Sequence, residues 1–264
     1  MPEGDSIHNL AARLSRRLLD REVRAFEAHT IEDELAATVV GKKIVSIDAR
    51  GKNLLLRFDD GRALQIHLRM MGRVRFERPR STFWKPRVTR PQLRLAVDGA
   101  AIVGDRIPVL RLLKAGAEER APDLVRLGPD LLDPKYDEDE AVRRLRALGK
   151  MPVGEAVLIQ RAVAGIGNIY KSETLFLEKT NPKLPIGKLD EERVRNIVRR
   201  ASALMRSNLG KGARVTRPSM RSGRFYVYGR EGKPCFTCGT PIVRIRQGAE
   251  AGRSTYYCPS CQAG

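Results

Sequence analysis

The sequence predicts a multidomain α+β protein, with an N-terminal sandwich or barrel of antiparallel strands, then a helical region, then a metal-binding β-hairpin. Three observations predict this order. Short apolar runs between Gly, Asp and Asn turns fill the first half of the chain, and longer amphipathic runs fill most of the second. The four cysteines all lie within the last 30 residues. A chain of 264 residues, 42% of them hydrophobic, is long enough to bury more than one core.

The N-terminal half begins with one helix and continues as strands. In the opening stretch MPEGDSIHNLAARL, Pro2, Glu3 and Asp5 have the composition of a helix start, because proline fits the first turn and carboxylates oppose the positive end of the helix dipole. The apolar positions of this helix share one face: Ile7, Leu10, Ala11, Leu14 and Leu18. The runs predicted as strands are KIVSID, NLLLRF, ALQIHLRM, RVRF, QLRLAV and AIVGD. No nucleotide-binding loop of the GxGxxG or GxxxxGK[ST] type lies between these runs.

From about Pro134 the pattern becomes helical. The runs predicted as helices are DEDEAVRRLRAL, GEAVLIQRAV, IYKSETLFLEK and DEERVRNIVRRASALMRSNL. Asp137 and Asp190 stand where N-caps belong, and basic residues crowd the later turns. The preceding stretch RAPDLVRLGPDLLDP is rich in Pro and Gly, which predicts a linker.

The cysteines follow a zinc-binding pattern. Cys235 and Cys238 form one C-x2-C pair, and Cys258 and Cys261 form a second pair 19 residues later. Two such turns can present four thiolates to one tetrahedral ion, and four thiolates leave no open position for catalysis. Disulfides are the competing interpretation, which a reducing compartment disfavours. The intervening segment TPIVRIRQGAEAGRSTYY alternates around a Gly-containing turn and predicts a β-hairpin.

The charge of the chain points to a polyanionic partner. Fifty Lys and Arg stand against 31 Asp and Glu, giving a formal net charge of +19, far above the magnitude of about 2 to 8 that solubility requires. Nucleic acid explains this excess better than an anionic membrane surface. The sequence has no apolar run of about 20 residues and no secretory signal pattern. We therefore expect an intracellular protein, in the cytoplasm or nucleoid, with no membrane partner.

Three further motifs have both a structural and a functional interpretation. In AGIGNIYKSE, Gly165 and Gly167 bracket a turn with Asn168 at the start of the next helix, which fits either an ordinary helix hairpin or a phosphate-binding turn. Lys52 is either a solvated surface charge or part of a site. In HLRMMGR, Met70 and Met71 are either core residues or a wedge that enters a DNA stack.

Taken together, these motifs resemble one known family. MPEGDSI, RGKNLLL, LGPDLLDP, AGIGNIYKSE, VYGREGKPCFTCG and GRSTYYCPSCQ, in this order, are similar to the formamidopyrimidine-DNA glycosylase and endonuclease VIII family over nearly the whole chain. The resemblance implies an N-terminal β-sandwich with a flanking helix, a helix-two-turn-helix module and a zinc-finger β-hairpin. The expected divisions are a catalytic domain (1–120), a linker (121–135), a DNA-binding domain (136–215) and a C4 zinc finger (225–264).

The resemblance also implies catalytic roles. In that family the initiator Met1 is removed and the exposed proline amine, here Pro2, is the nucleophile. An amine can attack the sugar C1′ and form a Schiff base. Glu3 matches the general acid, Lys52 the lysine of β-elimination, and Arg253 the finger arginine associated with phosphate binding and δ-elimination.

The DNA-binding roles follow by the same resemblance. Asn168 and Arg126 match phosphate-binding residues. The target base must leave the duplex to be reached, and Arg69, Met70 and Met71 occupy the turn that fills the resulting void. The expected partner is damaged DNA, in duplex form, bound by a monomer with one structural Zn²⁺.

The branch within the family is the finer prediction. The PEGDS start and the short stretch between Thr216 and Phe225 resemble the endonuclease VIII branch, which favours oxidised pyrimidines. Two positions depart from the family pattern. Ile159 stands before Gln160 where an aspartate is common, which affects a scaffold hydrogen bond. The Arg-Met-Met turn is closer to the sister branch in Met70, and this departure bears on the lesion preference. The alternatives are an oxidised-purine glycosylase, a catalytically idle lesion-binding protein, and an unrelated zinc-ribbon module, which would not explain Pro2 and Glu3.

Overall fold

The computed structural model describes residues 2–77, 91–218, 223–248 and 252–263. The chain divides into two compact units, and the division is not a single cut. One unit, the sandwich unit, comprises residues 1–2 and 6–125, and the other, the helical unit, comprises residues 3–5 and 126–264. The short segment Glu3–Asp5 therefore belongs with residues from the other end of the chain.

The sandwich unit contains two four-stranded antiparallel sheets. Its elements are α1 (Gly4–Leu18), β1 (Val23–Ala28), α2 (Asp33–Ala37), β2 (Ile44–Arg50), β3 (Asn53–Phe58), β4 (Ala63–His67), β5 (Arg73–Phe76), β6 (Leu93–Val97), β7 (Ala100–Asp105), β8 (Val109–Leu113) and α3 (Pro122–Val125). The first two residues of α1 belong to the helical unit, and the rest of that helix belongs to the sandwich unit. One sheet has the order β1-β6-β7-β5 and the other β2-β3-β4-β8. The sequence left a sandwich and a barrel open, and the structure has the sandwich.

The core of the sandwich unit confirms most of the predicted pattern. The predicted apolar face of α1 is buried with the inward-facing residues of both sheets. All six predicted runs contain strands, whereas β1 and β8 lie outside them. The β1 sequence VRAFEA contains residues that favour helices, and its antiparallel pairing with β6 overrides that local preference.

The helical unit combines four helices with a C-terminal hairpin. Its elements are α4 (Glu138–Arg146), α5 (Val153–Ala156), α6 (Asn168–Leu177), α7 (Glu191–Arg206), β9 (Val243–Gln247) and β10 (Arg253–Tyr257). The predicted caps are confirmed, because the Asp137 side chain accepts from the N–H of Glu140 and Asp190 accepts from that of Arg193. The strands β9 and β10 pair as the predicted hairpin, whose residues 249–251 lie outside the described ranges.

One predicted helix is wrong in length. The run GEAVLIQRAV is helical only as far as Ala156. Beyond that point the Gln160 side chain donates to the carbonyls of Leu158 and Ile166 at 2.9 and 3.1 Å and accepts from the Gly165 N–H at 3.1 Å. A side chain that bonds to the local backbone competes with the helical ladder, so the chain turns here.

The core of the helical unit lies around α6. Every residue from Asn168 to Phe176 is buried, including the polar ones. Apolar residues of α4, α5 and α7 surround this helix. A smaller cluster joins its C-terminal half to the cysteine-bearing segment. None of the helices in the described ranges has both the length and the apolar character needed to cross a bilayer.

Candidate active site and zinc centre

Glu3 caps a helix that begins far away in the sequence. One oxygen of its carboxylate accepts from the backbone N–H of Ile169 at 2.8 Å, and the other accepts from those of Gly167 and Tyr170 at 3.2 Å. These N–H groups form the first turn of α6, where no intrahelical acceptor is available. The carboxylate is fully buried, and its charge opposes the positive end of the helix dipole.

Three glycines, Gly4, Gly165 and Gly167, lie where the N-terminal segment approaches the start of α6. A Cβ at Gly167 would lie 2.4 Å from Cδ of Glu3, so any side chain there would displace the carboxylate. Gly4 donates its backbone N–H to the carbonyl of Gly165 at 2.9 Å. Gly165 has a φ of 104°, which favours glycine. The residue before this fixed segment is Pro2, which is half-buried.

Asp5 forms a second attachment to the same helix. Its carboxylate accepts from the Tyr170 hydroxyl at 2.8 Å and from Nε of Arg214 at 2.8 Å, and it also pairs with a terminal nitrogen of Arg214. The guanidinium lies over the Tyr170 ring, 5.0 Å from its centroid. Burial opposes the charge of Arg214, but the hydrogen bond to Asp5 and the nearby Glu3 raise its pKa overall. Sequence reasoning gave Asp5 only a helix-dipole role and missed Tyr170 and Arg214.

Lys171 is a buried amine in the same helix. Its side chain is fully buried, and Nζ has no hydrogen-bond partner among the described residues. Burial first, and then the charge of Arg253, lower the pKa of Lys171 to about 7, against the opposing effects of Glu3 and Glu155. Sequence reasoning missed this residue, although a lysine inside the run IYKSETLFLEK was a visible signal.

The two residues expected to bind phosphate, Asn168 and Arg126, lie at the first position of α6 and just before the LGPDLLDP motif. Asn168 is only 6% exposed, and its Oδ1 has no hydrogen-bond partner within the described ranges. Arg126 is exposed and lies two residues before Gly128. Gly128 donates its N–H to the carbonyl of Gln160, and the next residue accepts from the N–H of Ala164. Backbone pairing therefore joins the LGPDLLDP motif to the AGIGNIYKSE turn.

The sandwich unit carries a separate set of predicted residues. Lys52 is half-buried at the turn between β2 and β3. Burial lowers the pKa of His67, and the charges of Lys52 and Arg69 lower it further. His67 also accepts, through Nδ1, from the backbone N–H of Arg69 at 3.1 Å. Lys52, His67 and Arg69 thus form a local group of basic residues, of which His67 was not predicted from the sequence.

The β4–β5 turn presents two exposed methionines. Met70 and Met71 are 61% and 58% exposed, which excludes the core alternative for them. Gly72 donates its N–H to the carbonyl of Leu68 at 2.9 Å and closes the turn. Arg69 has a φ of 44°, an uncommon value for a residue with a side chain. The turn is tight, and apolar side chains project from it into solvent.

The four cysteines form one cluster. Their sulfur atoms all lie within 4.8 Å of one another. Tetrahedral Zn²⁺ with Zn–S bonds of about 2.3 Å needs sulfur separations of about 3.8 Å. The observed separations include 3.9 Å for Cys235–Cys261 and 3.4 Å for Cys238–Cys258, so the residues fit the ion. Gln262 supports the second pair by accepting from the Cys258 N–H at 2.9 Å and donating to a carbonyl of the helical unit at 2.8 Å.

Comparisons with family models cover most of the chain in three parts. The formamidopyrimidine-DNA glycosylase N-terminal domain matches residues 1–106, the formamidopyrimidine-DNA glycosylase H2TH domain matches 127–219, and the zinc finger found in FPG and IleRS matches 232–264.

Individual proteins give the same result. Probable endonuclease 8 2 of Streptomyces coelicolor is 36% identical, over 100% of this chain and 95% of that protein. DNA-(apurinic or apyrimidinic site) lyase Nei2 of Mycolicibacterium smegmatis is 31% identical, over 99% of each. The structure of Lactococcus lactis formamidopyrimidine-DNA glycosylase bound to DNA containing an AP site matches with a TM-score of 0.82 and 26% identity, over 100% of each chain.

The β-sandwich, the helix-two-turn-helix module and the four-cysteine finger define a DNA glycosylase of base excision repair with AP-lyase activity. The zinc is structural, since four thiolates close its coordination sphere. The chain belongs to the formamidopyrimidine-DNA glycosylase family, whose members include the proteins named endonuclease 8 and Nei2.

Proposed function

We propose that this protein excises oxidised pyrimidines from damaged duplex DNA, through a Schiff base on Pro2 followed by β,δ-elimination. The observation that carries the proposal is the capping of α6 by Glu3, which holds a buried carboxylate one residue from the proline amine. The amine becomes available when Met1, which lies outside the described residues, is removed.

The first half of the reaction is base excision. The lone pair of the Pro2 nitrogen attacks C1′ of the flipped nucleotide, and the bond between C1′ and the base breaks. The base leaves with the bonding electrons and takes up the proton that the attacking nitrogen loses. Glu3 donates a proton to the sugar ring oxygen. Opening of the ring then gives an iminium between C1′ and the proline nitrogen. α-Amines titrate near ~8 in reference peptides, so more of such an amine is neutral at pH 7 than of a lysine.

The second half is strand cleavage. Loss of a proton from C2′ lets the electrons form a C2′–C3′ double bond as the 3′ phosphate departs, and a second elimination releases the 5′ phosphate. Lys52 supports the first elimination and Arg253 the second. Water then hydrolyses the Schiff base and frees Pro2. Each role is assigned by resemblance, and the half-buried Lys52 and exposed Arg253 leave their charges accessible.

The remaining residues bind the substrate. Asn168 at the start of α6 and Arg126 before the LGPDLLDP motif bind phosphate groups, and the net charge of +19 attracts the duplex. Arg69, Met70 and Met71 fill the space that the flipped nucleotide leaves, for which the exposure of both methionines is favourable. The proposal keeps the predicted domain divisions. It also has the protein act as a monomer inside the cell, on cytoplasmic or nucleoid DNA.

The preference for pyrimidines is supported by the PEGDS start and by the 36% identity to a probable endonuclease 8. The short length of the segment between Thr216 and Phe225 also supports the preference for pyrimidines. Residues 219–222 of this segment lie outside the described ranges. The match to a formamidopyrimidine-DNA glycosylase structure and the Met70 turn keep oxidised purines as the second candidate.

A panel of duplexes with single defined lesions tests the function. Borohydride added during turnover should trap a covalent protein–DNA adduct, and the adduct should vanish in Pro2→Gly or when the N-terminus is blocked. Faster excision of oxidised pyrimidines than of 8-oxoguanine or formamidopyrimidines supports the proposed preference, and the reverse order selects the purine candidate. Binding to lesions without any adduct from processed protein would identify an idle lesion-binding protein.

A further inference from the structure

We propose that Asp5, Arg214 and Tyr170 form a positioning cluster that holds the segment carrying the Pro2 amine in its reactive orientation. The inference rests on the proposed function, because it assigns these three residues a part in the reaction of Pro2. It assigns these residues a positioning role through their contacts with one another, and it gives Asp5 a role other than helix initiation.

The burial of Asp5 is the first argument. A dipole role does not require a carboxylate to be buried, yet the Asp5 side chain is 4% exposed and that of Arg214 is 10% exposed. Removing two charges from water costs several kcal/mol per ion, which a close ion pair recovers only with good geometry and further hydrogen bonds. The arrangement here supplies both, through two contacts from Arg214 and one from the Tyr170 hydroxyl.

The second argument is geometric. If Glu3 were the only attachment to α6, the N-terminal segment would be held through one side chain, and the backbone of Pro2 could still rotate. Asp5 adds a second side-chain attachment two residues later, and between them the Gly4 N–H bonds to Gly165 at 2.9 Å. Three successive residues are thereby fixed on one helix and its N-terminal turn. Since consecutive Cα atoms are 3.8 Å apart, little freedom remains for the backbone that enters Pro2.

The attachment point is itself held in place. Arg214 precedes Val215, which exchanges two hydrogen bonds with the side chain of Asn208, its N–H donating at 2.8 Å and its carbonyl accepting at 2.9 Å. Asn208 follows the C-terminal end of α7, so the arginine projects from a backbone tied to that helix. The Tyr170 ring is fully buried in α6. Asp5 therefore joins the N-terminal segment to two fixed elements at once.

The consequence for catalysis is a requirement for orientation. Displacement of a reacting group by about 1 Å can cost on the order of 10²-fold in rate without changing how substrate binds. We expect Asp5→Asn, which keeps the shape of the side chain and removes its charge, to slow single-turnover adduct formation by roughly 10- to 100-fold. Tyr170→Phe removes one hydrogen bond and should have a smaller effect in the same direction.

The experiment measures borohydride trapping of an abasic duplex in single turnovers, recording rate and final amplitude separately. Wild type, Asp5→Asn, Tyr170→Phe, Arg214→Lys and Arg214→Met are compared, and duplex affinity is measured for each. Asp33→Asn is the matched control, because Asp33 is an exposed carboxylate in the first turn of α2. The expected result is a lower rate at full amplitude and unchanged affinity, with Arg214→Lys closer to wild type than Arg214→Met.

The outcomes separate this inference from the proposed function. If wild-type protein with a free Pro2 forms no adduct, the proposed function fails. If wild type reacts and Asp5→Asn and Tyr170→Phe react at the same rate, the positioning cluster is wrong. It is also wrong if the variants lose only amplitude, since that result means a smaller folded fraction reacting at the normal rate.

Discussion

The carboxylate of Glu3 accepts a hydrogen bond from the backbone N–H of Ile169, 166 residues further along the chain. A helix normally finds its cap in the residue before its first turn. Here Gly167 precedes the helix and leaves room for a carboxylate supplied from the other end of the chain. The capping interaction therefore also fixes where the N-terminal segment lies in the helical unit.

Replacing Glu3 with glutamine should separate binding from chemistry. Glu3→Gln keeps the size of the side chain, and its amide oxygen can still accept from the first turn of α6. The variant lacks the acid and should lose base excision while retaining affinity for lesion-containing duplex. Loss of the charge at the helix start should lower stability by about 0.3–2 kcal/mol. A variant that excises as fast as the parent would remove Glu3 from the proposed reaction.

Gly167→Ala tests whether the position of Glu3 matters. The added methyl carbon would lie 2.4 Å from Cδ of Glu3, closer than real contacts allow, so the carboxylate must move. Excision should fall by at least 10-fold, and the thermal midpoint should also drop. Gly212→Ala is the control, because a Cβ there would meet no atom within 4 Å. Equal activity of the two variants would show that the site tolerates displacement of Glu3.

The buried amine of Lys171 should make stability depend on pH. Its pKa is about 7 in the folded protein, against 10.5 for an ordinary lysine, so between these values the unfolded chain binds the extra proton. Stability should therefore rise as the pH increases from about 7 to about 10.5. Below pH 7 both states are protonated, and the full cost of the buried charge is present.

Lys171→Met removes this dependence. The variant should gain up to roughly 5 kcal/mol at neutral pH, at about 1.4 kcal/mol per unit of pKa difference, and the alkaline rise should disappear. Denaturant unfolding between pH 6 and 10 measures both effects. The exposed Lys211, changed to Met, should retain the wild-type curve. Parallel curves for wild type and Lys171→Met would show that the amine keeps its ordinary pKa.

Removal of zinc should unfold the C-terminal hairpin and leave the sandwich unit folded. Cys258 is fully buried, and its backbone N–H bonds to Gln262, so loss of the ion disturbs the hairpin and the residues after it together. Cys258→Ser or a strong chelator should release one equivalent of Zn²⁺, expose β9 and β10 to protease and weaken duplex binding. Retention of β10 protection without metal would contradict a structural role for zinc.

The salt dependence of duplex affinity should report how many phosphates the protein neutralises. Each neutralised phosphate contributes about −0.9 to the slope of log K against log salt concentration. Arg126→Met should make that slope shallower by about 1. Asn168→Ala should weaken binding at every salt concentration with the slope unchanged, since the amide carries no charge. Identical slopes for wild type and Arg126→Met would remove Arg126 from the phosphate contacts.

Sequence reasoning succeeded where the determining information was local. The spacing of Cys235, Cys238, Cys258 and Cys261 predicted one metal cluster, and the side chains of Asp137 and Asp190 cap the expected helices. The same local rules failed where a distant partner decides the structure. The β1 strand depends on β6, and the turns after Ala156 depend on the Gln160 side chain and on pairing with the LGPDLLDP segment.

The candidate site shows the same limit. Composition assigned Pro2, Glu3 and Asp5 to a helix start, and six ordered motifs were needed to suggest a nucleophile and an acid. No periodicity connects Asp5 to Arg214, 209 residues away, so that pair emerges only from the folded chain. The fold and family are confirmed, and the roles of the individual site residues stay predictions.

The placement of Glu3–Asp5 in the helical unit has a consequence for synthesis on the ribosome. The first residues made have their partners among the last, since Glu3 needs the start of α6 and Asp5 needs Arg214. At about 5–20 residues per second, Arg214 follows Asp5 by roughly 10 to 40 s. During that interval Asp5 lacks the partner that holds it in the folded protein. The removal of Met1 that the proposed function requires can therefore take place before folding buries Glu3 and Asp5.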